Sequence, residues 1–101
     1  MAQDKIRTEE VDELLAELAR LENPDEIYDL LMDLCTVREI NEMSQRLRCA
    51  YLLANKVSYT EIQSRTGASS TTISRVSKCL NYGSGGYARA VEFRARQAGE
   101  E

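Results

Sequence analysis

Six consecutive apolar residues, Cys49-Ala50-Tyr51-Leu52-Leu53-Ala54, dictate more about this chain than any other stretch. They sit within a pattern of apolar residues at helical spacing, and no run alternates with period two over the length of a strand, so an all-α fold is expected. Six apolar positions in a row cover the whole circumference of a helix, and a helix apolar all round must be surrounded. A chain of 101 residues with one proline and five glycines has the size of a single domain, residues 1–101. Domains this small bury a limited fraction of their surface. The missing cover is therefore expected from a homodimer that shares helices across its axis. The same run falls far short of the roughly 20 apolar residues a bilayer span needs, and the N-terminus shows no basic-then-apolar signal pattern. No membrane partner is expected, and the cytoplasm is the expected location.

Capping signals divide the chain into helices. The first is expected from about Glu9 to Leu21 behind Thr8 as N-cap, with Val11, Leu14, Leu15 and Leu18 on one stripe. Asn23-Pro24-Asp25-Glu26 opens the second: Asn caps, Pro takes the first helical position and two carboxylates meet the positive end of the macrodipole. Its buried face is Ile27, Leu30, Leu31 and Leu34. Thr36-Val37-Arg38-Glu39 is a capping box that opens a third helix running to about Asn55, so residues 9–55 read as core and dimerisation helices. Ser58-Tyr59-Thr60-Glu61 is a second capping box, and its short helix ends near Thr66, where Gly67 breaks it. Ser69-Ser70-Thr71-Thr72 starts the next helix, whose inner face is Ile73, Val76 and Leu80. Asn81-Tyr82-Gly83-Ser84-Gly85-Gly86 reads as a flexible connection, its ends pinned by Tyr82 and Tyr87, before a last helix over 87–97.

Residues 58–80 fit a helix-turn-helix. Gly67 supplies the positive φ that a close helix crossing needs. Ile62, Ile73 and Val76 point inward, which leaves the outer N-terminal face of the second helix free to enter a major groove. That face is Ser69, Ser70, Thr71, Ser74, Arg75 and Lys78. Short hydroxyls allow close approach to bases and phosphates, while Arg75 and Lys78 can reach a guanine edge or the backbone. Ser58, Thr60 and Thr72, at the helix starts, complete the candidate DNA-contacting set. One departure is Gln63, where such motifs often carry a small residue against the second helix. The net charge of -4 conceals a split that favours this reading. Residues 1–42 hold Lys5, Arg7, Arg20 and Arg38 against thirteen acids, a balance of -9; residues 43–101 hold nine basic groups against Glu61, Glu92, Glu100 and Glu101, a balance of +5. No acid lies between Gln63 and Arg89. Such asymmetry points to a basic working surface on an otherwise acidic molecule.

Gly67-Ala68-Ser69-Ser70-Thr71-Thr72-Ile73-Ser74-Arg75, with Leu80 following, resembles the turn and recognition helix of the tryptophan repressor. Upstream, Leu30-Leu31-Met32-Asp33-Leu34-Cys35-Thr36, Arg46-Leu47-Arg48 and Leu52-Leu53 resemble the segment that precedes it there. The resemblance covers about residues 9–80, and Gly83-Ser84-Gly85-Gly86-Tyr87 extends it to the YerC/YecD group of tryptophan-repressor-related proteins. It implies an all-helical, intertwined homodimer that places two recognition helices in successive major grooves of a palindromic operator, acting as a sequence-specific transcriptional regulator, a repressor by expectation. It also implies a corepressor site, in which Arg46 and Arg75 would flank an indole and Thr36 would help to hold it. Val76, however, stands where the resemblance places a glycine that makes room for the ring, and Cys79 where it places a serine. A valine there should collide with an indole, because dense interiors do not make room cheaply. Tryptophan is therefore not the expected effector: either a smaller ligand binds or Val76 fills the space permanently.

Two other classes of function compete with DNA binding. The acidic half or the last helix could dock on a protein of the transcription machinery, making the chain an adaptor. Catalysis is the weakest reading. The chain has no histidine, which removes Ser-His and Cys-His pairs, histidine bases and nearly every usual zinc site. Glu9-Glu10, Asp12-Glu13 and Asp25-Glu26 lie in first turns, where the helix dipole accounts for them. Cys35, Cys49 and Cys79 are odd in number and fall among apolar neighbours, as reduced core thiols do. No catalytic residue, metal or cofactor is expected.

Overall fold

The computed structural model describes residues 7–99; Asp4, Lys5, Glu100 and Glu101, which enter the charge balance, lie outside the described residues. Helices follow in the order α1 (Glu9–Arg20), α2 (Pro24–Leu34), α3 (Val37–Ala54), α4 (Tyr59–Thr66), α5 (Ser70–Tyr82) and α6 (Gly86–Gly99), with no strand among the described residues. The chain divides into two compact units, one up to Ile40 and one from Asn41, with the boundary inside α3. No helix among the described residues is long and apolar enough to cross a membrane.

The first unit is capped as its sequence indicates. Thr8 Oγ1 accepts from the Val11 N–H at 3.2 Å and Asn23 Oδ1 from the Asp25 N–H at 2.7 Å, with Pro24 opening α2. The box at α3 is complete: the Glu39 N–H donates to Thr36 Oγ1 at 3.0 Å and the Thr36 N–H to Glu39 Oε1 at 2.8 Å. Burial departs from the expectation. Neither α1 nor α2 holds a buried residue. Ile27, Leu30 and Leu31 are half-buried, Leu14 and Leu15 are each 40% exposed and Leu34 is 55% exposed. The apolar stripes of these two short amphipathic helices therefore stay partly open to water.

The core lies in the second unit. Cys49 and Ala50 of α3, Ile62 of α4, Ala68 of the turn and Ile73 and Val76 of α5 form one buried cluster, with Leu52, Leu53, Val57, Tyr87 and Val91 packed against it. Both α4 and α6 pack on α5. Of the six-residue apolar run only Cys49 and Ala50 are buried; residues 51–54 are half-buried. The α3 helix ends in a Schellman turn, the Val57 N–H reaching Leu52 O at 3.1 Å and the Lys56 N–H reaching Leu53 O at 3.0 Å. Lys56 takes the left-handed position of that turn, φ 65°.

The α5–α6 connection is shorter than expected, because α5 continues to Tyr82 and α6 starts at Gly86. It is also fixed. The Gly83 N–H donates to Cys79 O at 2.8 Å, and a Cβ on Gly83 would run into that carbonyl, so the glycine serves close approach. Tyr87 is half-buried on the core as expected, but Tyr82 is 85% exposed and pins nothing. The cysteines are free thiols; Cys49 is core, whereas Cys35 is half-buried and Cys79 is exposed.

Candidate nucleic-acid interface

The helix-turn-helix expected over residues 58–80 forms, with α5 running on to Tyr82. Ser58 caps α4 by accepting from the Glu61 N–H at 3.2 Å, but only half of the capping box forms, because the Glu61 carboxylate accepts from Arg65 Nε at 2.8 Å. Gly67 closes α4 in the left-handed region, φ 76° and ψ 3°, its N–H bonded to Gln63 O at 2.9 Å. Ala68 follows, 4% exposed, and inserts its methyl into the core. Gln63 is exposed and does not crowd α5. Ser69 then caps α5, accepting from the Thr72 N–H at 3.1 Å.

The α5 helix presents two faces. Ile73 is fully buried and Val76 is 3% exposed, while Ser70, Thr71, Ser74, Arg75 and Lys78 are exposed, as are the cap Ser69 and, on the α4 side, Ser58 and Thr60. Thr72 is half-buried. Neither Arg75 nor Lys78 has an acidic partner among the described residues, and α5 carries no acid in its first turn. An exposed helix with uncompensated positive charge and a row of short hydroxyls suits close approach to a polyanion.

The residues put forward for a small ligand divide. Arg46 and Arg75 line one cavity of about 170 Å³, together with Thr72, Val76, Cys79 and Tyr87. Arg46 stands 3.8 Å from Glu42 Oε1. Thr36 belongs to the first unit, where its hydroxyl oxygen accepts from the Glu39 N–H. Val76 lines the cavity and is part of the buried cluster, so its side chain occupies space that no ligand takes without unpacking the core.

Sequence reasoning missed Tyr87 and Thr72 as cavity walls and Ala68 as a core residue. It also missed the bonding of Thr66. Gln45 Nε2 on α3 donates to Thr66 O at 3.1 Å, the Thr66 hydroxyl donates to Ile62 O at 2.8 Å, and the Ala68 N–H donates to Thr66 Oγ1 at 3.1 Å. The one available signal was a threonine directly before the breaking glycine, since Thr at a helix end readily bonds back to the carbonyl four residues earlier.

Comparison with known proteins agrees with this geometry. The family described as Trp repressor protein matches residues 9–94. The protein YerC of Bacillus subtilis (strain 168) is 43% identical over 89 residues, which cover 88% of this chain and 86% of that protein. The crystal structure of a TrpR like protein from Eubacterium eligens ATCC 27750 superposes with a TM-score of 0.86 at 42% identity, over 90% of this chain and 94% of that one. A second solved structure, from Staphylococcus aureus, gives 0.85 at 38% identity, over 90% and 91%.

Proposed function

The chain belongs to the Trp repressor family of helix-turn-helix regulators, and from that premise we propose that it is a cytoplasmic, sequence-specific DNA-binding transcriptional repressor that reads a palindromic operator as a homodimer. The observation that carries this reading is the exposed face of α5, where Ser70, Thr71, Ser74, Arg75 and Lys78 share a surface without acids. Ser69, Thr72, Ser58 and Thr60 extend the contact set at the two helix N-termini. Base edges would be met by Arg75 and Lys78, phosphates by the hydroxyls and the α4 and α5 backbone amides. The acids of α1 and α2 disfavour approach by other surfaces, which makes binding orientation-dependent.

The homodimer rests on the uncovered apolar side chains of the first unit. Leu14, Leu15, Met32, Leu34 and Val37 are 40–60% exposed, and no residue of α1 or α2 is buried. A second copy supplies matching apolar stripes, and a two-fold axis then sets two α5 helices against one duplex. Sedimentation of the purified chain should give twice the chain mass, and duplex affinity should fall steeply with salt, roughly in proportion to the phosphates engaged. A monomer whose partner binding ignores salt would favour the adaptor reading instead.

Arg46 and Arg75 make the cavity beside α5 the place for an effector, and Val76 argues that tryptophan is not that effector. A smaller ligand enters or none does. Thr36, whose hydroxyl accepts the capping bond of α3, is the third residue of that proposed effector site.

A further inference from the structure

We propose that Gln45 and Thr66 are positioning residues that set the aim of α5, and that sequence discrimination depends on them although neither faces the duplex; this rests on the DNA-binding reading above. The α5 helix is held by two kinds of contact. Ile73 and Val76 seat its inner face on the core and α6 packs against it, but such apolar contacts are non-directional. Direction comes from its N-terminus, and that end hangs from the turn at residues 66–69.

Thr66 is the hub of that turn. Its hydroxyl donates to Ile62 O at 2.8 Å and accepts from the Ala68 N–H at 3.1 Å, so one oxygen ties the last turn of α4 to the first residue beyond Gly67. Cys49 Sγ lies 3.8 Å from the same oxygen. The Thr66 carbonyl, left without a helical partner at the end of α4, accepts from Gln45 Nε2 at 3.1 Å. A Cβ on Gly67 would lie 4.0 Å from that same amide nitrogen. Gln45 and Cys49, one helical turn apart on α3, therefore grip the turn from outside the motif. The gripping bonds are directional, and they act where a small rotation of α5 is magnified along its reading face.

Phosphate contacts tolerate such a rotation because a charge needs only proximity, whereas base contacts need hydrogen-bond geometry. Losing the clamp should then lower discrimination more than total affinity.

The test compares the duplex selected by the wild-type chain with a scrambled duplex of equal length, over a range of salt concentrations. It uses Gln45→Leu, Thr66→Val and Thr66→Ser, with helicity and melting recorded for each. Gln45→Leu should lose about five- to tenfold on the selected duplex, the worth of one neutral hydrogen bond, and Thr66→Val, which removes two, should lose at least as much, with scrambled binding and salt slope retained in both. Thr66→Ser, which keeps the hydroxyl, should restore the ratio. Gln45→Asn, whose amide is one methylene too short to reach, replaces Gln45→Leu if the latter does not fold and should show the same loss. Equal losses on both duplexes, an unchanged ratio in a folded Gln45 variant, or no rescue by Thr66→Ser overturns the proposal. A wild-type chain that selects no sequence at all overturns the DNA reading and this inference with it, a result distinct from selection with an unaltered ratio in the variants.

Discussion

Ser69 and Thr72 are bonded to each other twice: the Thr72 N–H donates to Ser69 Oγ at 3.1 Å and the Ser69 hydroxyl donates to Thr72 Oγ1 at 3.1 Å. Two of the hydroxyls at the start of α5 are thus engaged in building its N-terminus, while Ser70, Thr71 and Ser74 are exposed and have no side-chain partner of this kind among the described residues. Ser69→Ala should cost about 1 kcal/mol of stability as a lost N-cap, a drop of about 4–8 °C in melting temperature for a domain of this size. Ser70→Ala and Ser74→Ala should stay within about 0.5 kcal/mol of wild type and weaken DNA binding instead. Melting curves beside duplex titrations separate the two groups.

Arg75→Ala and Lys78→Ala should each weaken duplex binding without lowering the melting temperature, since both side chains are exposed and free of ion pairs among the described residues. A phosphate contact removed should shrink the salt slope by about 1, and a base contact removed should relax preference at one position at a cost of about 1–3 kcal/mol. Titrations at several salt concentrations assign each residue to one role. Unchanged affinity in the double variant would exclude α5 as the reading element.

Saturating tryptophan should leave the melting temperature where it is, because Val76 is 3% exposed and fills the cavity wall between Arg75 and Cys79. Ligands that bind the native state alone raise stability by about 2.7 kcal/mol at a hundredfold excess over Kd, which a thermal scan reads easily. A saturable upward shift with tryptophan would show that the valine yields.

Lys56→Gly should stabilise the chain. Lys56 sits at φ 65° in the Schellman turn after α3, a conformation that costs a side chain of this kind about 1 kcal/mol and glycine almost nothing. Glycine's greater freedom in the unfolded state offsets part of the gain, so a rise of about 0.5 kcal/mol in unfolding free energy is expected by denaturant titration. A fall would mean that the lysine makes a contact worth more than the strain.

Arg20 bonds the Glu17 carboxylate through Nε at 3.1 Å and Nη2 at 2.6 Å, and that hydrogen bonding holds the Glu17 carboxyl below the usual carboxylate range. A lowered folded-state pKa stabilises above the unfolded value and loses its effect as pH falls through the folded one. Glu17→Gln should therefore melt slightly below wild type at neutral pH, with the gap closing on acidification. A gap that widened toward acid would contradict the sign. With no histidine in the chain, duplex affinity should be flat between about pH 6 and 7.5.

Local chemistry made the helices legible. Thr8, Asn23, Thr36, Ser58 and Ser69 each cap where their side chains indicate, because a capping bond depends on residues within one turn. The exposed face of α5 was legible for the same reason: the helical period of about 3.6 residues sets Ser74, Arg75 and Lys78 opposite the buried Ile73 and Val76. Burial of α1 and α2 was not, since whether Leu14 or Leu34 is covered depends on a surface elsewhere. Gln45 escaped notice because its partner lies 21 residues away, a separation that no local pattern encodes. Apolar neighbours point to a packed Cys79 and a place beside the glycine-rich stretch to an anchoring Tyr82, yet both stand exposed at the end of α5.

Selection of bound fragments from random duplex DNA with the purified wild-type chain tests the central claim most directly. The account predicts enrichment of an inverted repeat whose half-sites lie about 10 bp apart from centre to centre, one helical turn, as two α5 helices on a two-fold axis require. No enrichment at low salt, or an enriched site without two-fold symmetry, would contradict it.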